Sequence, residues 1–207
     1  GPSLNALVFS SLHAGVPLAD AEGAADRALA FAIQWRSGNQ QTALIARQLI
    51  RQLRGLTHSP VELSDASFDE AAFLQRLKKW AIPVHLGWFH AARAMGLCVM
   101  GHHARAVDAA GEAEPAMWTL KGTLIDFFHH FHAALSLACH AGELQDEERA
   151  AARKRLEPHE AALRLWAEGF PEGFAAADAL LRAEIAHLDG RPLQALAGYE
   201  QAIAAAQ

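Results

Sequence analysis

Cysteine is nearly absent from this chain: two in 207 residues, Cys98 and Cys139, in no CxxC pair and no dense framework. That excludes a disulfide-stapled secreted scaffold, and both thiols read as reduced core residues of a cytoplasmic protein. No apolar run reaches about eighteen residues and no basic-then-apolar signal opens the chain, so neither a membrane span nor a leader is expected. Basic charge is in deficit, with 18 Lys plus Arg against 23 Asp plus Glu and a net charge of -5. Nucleic-acid binding, which needs a basic stripe to neutralise phosphates, is therefore not expected. The sequence holds no GxxxxGK[ST] loop, no HRD or DFG signature, no GxSxG elbow and no HExxH pair. P-loop, kinase, serine-hydrolase and zincin chemistry each depend on one of those motifs.

What the chain has in excess is alanine and other helix formers, with 52% hydrophobic but only 8% aromatic residues. Strand-like alternation is missing, so the expectation is an all-α fold whose close contacts are made by small side chains. A chain of this length buries roughly 70% of the surface its unfolded form exposes, enough for a sizeable core.

Ten helices are predicted. Residues 4–13 read as a short apolar helix ended by Gly15, and Pro17 suits the first turn of a second helix to about Arg36. A third spans 39–54, with Leu44, Ile45, Leu49 and Leu53 on one face. The stretch 55–66, with Gly55, Thr57, Ser59, Pro60 and Ser64, is the best linker and a candidate domain sub-boundary. Ser67-Phe68-Asp69-Glu70 has the form of a capping box opening a helix over 68–80. Helices are then expected over 83 to 99 or 100, 103–113 and 119–141, and from about 145 with a kink or break at Pro158. The closing pair covers 172–188 and 192–206. Gly1-Pro2-Ser3 resembles the remnant of a cleaved tag, and the alanine-rich end reads as a pattern cut short, so residues 4–207 are expected to be a piece of a larger protein.

Two glycines carry a repeat. Gly190 has Ala183 seven residues before it and Ala195, Tyr199 and Ala202 five, nine and twelve after it; Gly101 has Ala94, Ala106, Ala110 and Ala113 at matching places. Small residues there let two helices approach closely while the glycine ends the first, which is the tetratricopeptide (TPR) arrangement. The other units are degenerate, and antiparallel helix pairs stacked as a worn TPR-like solenoid are the expected architecture.

The run Trp166-Ala167-Glu168, Pro171-Glu172-Gly173-Phe174, Arg182-Ala183-Glu184-Ile185-Ala186, then Gly190 through Tyr199-Glu200-Gln201-Ala202-Ile203 resembles a known pattern. It is similar to the helical region of multi-sensor hybrid histidine kinases, in which a protein-kinase-like domain and an AAA/STAND-type ATPase precede a TPR-like region followed by GAF and kinase modules. That region has W-x-x-x-x-P-E-N-F, then A-E-x-x-R-x-x-G and a Y-D/E-x-A-I helix; here Gly173 replaces the asparagine and His187 stands where a basic residue is common. Phe68-Asp69-Glu70 with Phe73, Val99 through Ala106, and Phe131-His132-Ala133-Ala134-Leu135 follow in the same order, so the resemblance runs from about residue 4 to 206. It implies a non-catalytic, cytoplasmic regulatory module without a cofactor, coupling an ATPase to a signal-transduction kinase. Its partners would be other domains of the parent protein, separate proteins or a second copy. A helical segment of a STAND-type transcription activator is the alternative within the same architecture.

Candidate site residues are few. A groove between helix pairs would draw on Trp88, His85, Phe128, His132, Trp166 and Arg182, although large aromatics at helical spacing more often fill a core. The twelve histidines tempt a metal reading. His129 and His132 share a helix face at i, i+3, and His85 or His90 from a neighbouring helix would complete a zinc or iron site. The plainer reading makes them partly buried polar aromatics in an alanine-rich core. Arg149, Arg153, Lys154 and Arg155 fall in a mixed-charge helix that needs no role beyond a solvated face.

Overall fold

The computed structural model describes residues 4–207, with side chains from Val8 onward; the tripeptide Gly1-Pro2-Ser3 lies outside the described residues. The fold is all-α. Its elements are α1 (Leu4–His13), α2 (Leu18–Gln34), α3 (Gln40–Leu53), α4 (Glu70–Trp80), α5 (Pro83–Val99), α6 (His103–Ala113), a 3-10 helix (Glu114–Leu120), α7 (Leu124–Ala141), α8 (Asp146–Gly169), α9 (Pro171–Leu188) and α10 (Pro192–Ala205). Among the described residues there is no strand, only an isolated bridge between Asp65 and Phe68. Among the described residues, no helix is long and apolar enough to cross a membrane. The chain divides into two compact units between His129 and His130, inside α7.

One turn is used repeatedly. After α5, Gly101 sits at φ 78°, its N–H donating to the Cys98 carbonyl (3.0 Å) and the His102 N–H to Leu97 (2.9 Å). After α9, Gly190 at φ 70° donates to His187 (3.0 Å) and Arg191 to Ala186 (2.8 Å). This pair of bonds satisfies two carbonyls the helix end would orphan, and the left-handed residue it needs favours glycine. The repeat's small residues do what their spacing predicts: Ala94, Ala106, Ala110 and Ala113 are buried where α5 meets α6, and Ala183, Ala195 and Ala202 where α9 meets α10.

In the first unit the 55–66 stretch does not separate two bodies. It is bound back onto α3: Gln48 Nε2 donates to the Leu63 carbonyl (2.9 Å), Gln52 Nε2 to Pro60 (2.8 Å), and the Leu63 side chain is fully buried. That anchoring also corrects the expected capping box. The Ser67 hydroxyl donates to Asp65 (2.8 Å), while Glu70 accepts from the Leu63 N–H (2.6 Å) and pairs with Arg93 (3.0 Å). Both motif residues are spent on the loop, and Asp69 caps α4 instead by accepting from the Ala72 N–H at 2.9 Å.

Two further expectations are revised. The predicted 119–141 helix begins only at Leu124, because Gly122 at φ 73° stops the 3-10 helix and Asp126 accepts from the Gly122 N–H at 3.2 Å. Pro158 does not break α8, which runs through it from Asp146 to Gly169. Proline removes one hydrogen bond, and the ring is exposed, while Ala152, Leu156, His159 and Leu163 hold the opposite stripe buried.

Candidate functional site

Of the six groove candidates, His85, Trp88 and Phe128 belong to the first unit and His132, Trp166 and Arg182 to the second. In the first unit the Trp88 ring meets Phe9 edge-on with centroids 4.8 Å apart, and Phe9 in turn lies 5.8 Å from Phe128. Phe9 and Phe128 are buried, so these rings are core. His85, at the start of α5, is half-buried, with Nδ1 enclosed and without a hydrogen-bond partner. In the second unit His132 is buried beside Phe131, and Trp166 is half-buried. Arg182 is exposed and ion-paired to Asp178 at 2.8 Å.

Arg182 has company that the sequence alone did not single out. It lines a cleft of about 390 Å³ formed by α8, α9 and α10, together with Arg153, Arg191, Gln194 and Gln201. The floor is made of small or apolar side chains, Ala179, Ile185, Ala186 and Gly198. One acid, Glu160, shares the lining. The arginines are held in place by carboxylates: Arg153 lies 3.6 Å from Glu160 and 4.0 Å from Asp189, and Arg191 pairs with Asp189 at 2.6 Å. Arg191 also reaches Gln194 at 2.7 Å. Three planar forks set around an apolar floor suit carboxylates of an incoming segment, since guanidinium donors bind them two at a time. The lining holds no serine, threonine or cysteine.

No protein-family model, curated protein or solved structure matches the chain.

Histidines are distributed otherwise than the i, i+3 pattern suggested. His129 and His132 are both buried, and among the described residues no group of three or more metal-ligating side chains gathers. The pair that does form is His130 of α7 with His159 of α8, Nδ1 to Nδ1 at 2.9 Å. His159 is buried, His130 half-buried, and the Trp166 ring stands edge-on to His130 with centroids 5.6 Å apart. His159, distant in sequence, carries no motif that would have announced it.

His90 in the first unit is a core histidine with its Nδ1 buried and unpartnered. Burial, aided by the positive charges of Lys78 and Arg93 and opposed by Glu112, lowers its pKa from 6.5 to about 4. The unfolded chain therefore takes up this proton first as pH falls. The stability that neutral His90 contributes is complete above about pH 6.5 and drains away toward pH 4, an acid loss of roughly 3 kcal/mol. Urea unfolding at pH 7.5 and 4.5 is expected to show a smaller acid loss for His90→Leu than for the parent, because the carboxylate contributions are common to both.

Proposed function

We propose that the chain is a non-catalytic regulatory module of helix-pair repeats that binds an acidic protein segment, from a neighbouring domain or a separate partner, in its arginine-lined cleft. The carrying observation is the convergence of Arg153, Arg182 and Arg191 on an apolar floor of small residues between α8, α9 and α10. Arg182, Arg191 and Arg153 are matched in the free chain by Asp178, Asp189 and Glu160, so an acidic segment would bind by exchanging with these carboxylates for the guanidinium forks rather than by meeting a net positive charge. The two hairpins built on one glycine and alanine register support stacking as a TPR-like solenoid, an architecture that offers such clefts to peptides. In the same proposal, the resemblance to the helical region of multi-sensor histidine kinases would imply that this binding lies between an ATPase and a kinase output.

The test uses a fluorescein-labelled dodecapeptide rich in glutamate and a scrambled lysine-rich control. Fluorescence anisotropy is expected to show saturable binding of the acidic peptide that weakens as salt rises. The exposed charge reversal Arg182→Glu should lower affinity by about tenfold, on the order of 1.4 kcal/mol. Equal binding of both peptides, or an unchanged affinity in Arg182→Glu, would overturn the assignment. ATP turnover that persisted through purification and tracked with the chain would overturn its non-catalytic part.

A further inference from the structure

Besides the arginine cleft, and independently of it, the second unit holds an arrangement with a chemistry of its own. Two imidazoles from different helices, His130 on α7 and His159 on α8, aim their Nδ1 atoms at one another across 2.9 Å. For this to be a hydrogen bond one ring must carry its proton on Nδ1 and the other must keep Nδ1 bare. With both rings in the Nε2–H form, the two Nδ1 lone pairs face one gap, and a metal bound to both nitrogens would sit to the side of the N···N line.

We propose that His130 and His159 form a two-imidazole site for a late first-row divalent ion, Cu²⁺ or Ni²⁺, whose remaining positions are taken by water or an exogenous ligand. Imidazole nitrogen is the preferred donor for these ions. The separation selects among them: with metal–nitrogen bonds of about 2.0 Å, a 2.9 Å bite subtends roughly 90°, the cis angle of square-planar and octahedral ions. A tetrahedral zinc ion at about 2.05 Å would want nitrogens near 3.3 Å apart. Access is provided by His130, which is only half-buried, whereas the buried His159 fixes the inner edge. Trp166, 5.6 Å from His130 and 6.2 Å from Phe174, gives one side an aromatic wall. Such a wall keeps the local dielectric low and orients the rings.

The position of Trp166 supplies the readout, because Cu²⁺ and Ni²⁺ quench a nearby indole. Untagged protein titrated with each metal alone is expected to show one-to-one, saturable quenching at micromolar concentration, with affinity in the order Cu²⁺, Ni²⁺, Zn²⁺. His130→Gln should weaken binding roughly tenfold or more. His159→Gln should do the same, and if that buried change disturbs folding, the half-buried His130→Gln still decides the matter. Trp166→Phe should remove the quenching while leaving the metal-induced rise in Tm. Failure to saturate by millimolar metal would overturn the proposal. So would affinity unchanged in both histidine variants, which would assign the metal to another pair such as the adjacent His102 and His103, or zinc binding tighter than nickel.

Discussion

Asp65→Ala is expected to destabilise the first unit by roughly 3–5 kcal/mol, the cost of leaving buried charge and donors without a partner. Asp65 is buried at the foot of the 55–66 stretch and serves three elements at once. One carboxylate oxygen accepts from Arg51 Nε of α3 at 2.7 Å and Gln48 Nε2 at 3.1 Å. The other accepts from the Ser67 N–H at 2.7 Å and the Ser67 hydroxyl at 2.8 Å, tightening the turn that delivers α4. Arg51 in turn binds Glu22 of α2 at 2.8 Å, and Arg54 closes on the same carboxylate. Burial by itself would raise the Asp65 pKa, but bonds from Gln48, Ser67 and Arg51 outweigh it and hold the group well below the usual carboxylate range. The sign follows: with a folded pKa below the unfolded one, this carboxylate's contribution is whole above about pH 4 and is lost only in stronger acid. Denaturant unfolding at pH 7 should show the full loss in Asp65→Ala. Asp65→Asn keeps the shape and some acceptor capacity but not the charge, and should fall between the two. A loss under about 1 kcal/mol for the alanine variant would mean the network is a surface ornament of the kind exposed ion pairs usually are.

That network also shows where local reading stopped working. The sequence from Ser67 to Glu70 fits a capping box residue by residue, yet the pattern assumes its polar groups have no better partners. Here Asp65, Leu63 and Arg93, two of them upstream in the loop and one on α5, compete successfully for Ser67 and Glu70. The glycine turns were legible because a left-handed helix end is a backbone requirement that few other residues meet. Gly15, Gly55, Gly101 and Gly190 all take positive φ, as their places suggested. Arg36 makes the same turn at φ 46° with no glycine to announce it. Its neighbours hold it there, with the Ser37 N–H donating to the Ala32 carbonyl at 2.8 Å. At the candidate sites, Arg182 was visible through its motif, but Arg153 sat in a mixed-charge helix and Arg191 in a turn, and only the meeting of α8, α9 and α10 joins them. The histidine cluster was visible as composition, while periodicity favoured His129 with His132. The pairing of His130 with His159 depends on how α8 lies against α7, which no local spacing encodes.

Gly198→Val is expected to pry α10 from α9 and to cost about 3 kcal/mol or more. A Cβ at Gly198 would stand 2.9 Å from the Ala183 Cβ and 3.1 Å from the Ala183 Cα, atoms that no rotamer change can move. Only separation of the two helices relieves that contact, and it uncovers Ala195 and Ala202, now buried in the seam. Gly198→Ala sets two terms of similar size against each other. Helix propensity favours alanine by about 1 kcal/mol, while the overlap costs roughly 1–3 kcal/mol, so a small net loss is expected. Valine adds two methyl groups to the same gap and recovers less propensity, so the clash dominates. Ala183→Gly in the alanine background should restore part of the loss, since the Cβ overlap disappears but the Cα approach remains. The chain's single tyrosine reports on the same seam. Tyr199 donates its hydroxyl to Glu184 at 2.9 Å, and burial together with that bond pushes its pKa up to about 12. Opening the hairpin exposes the phenol and parts it from Glu184, so ultraviolet titration of Gly198→Val should show ionisation moved down toward the ordinary value near 10. A valine variant with unchanged stability and an unshifted phenol would mean that α9 and α10 do not depend on close approach, removing the physical basis for reading their glycine and alanine spacing as a repeat.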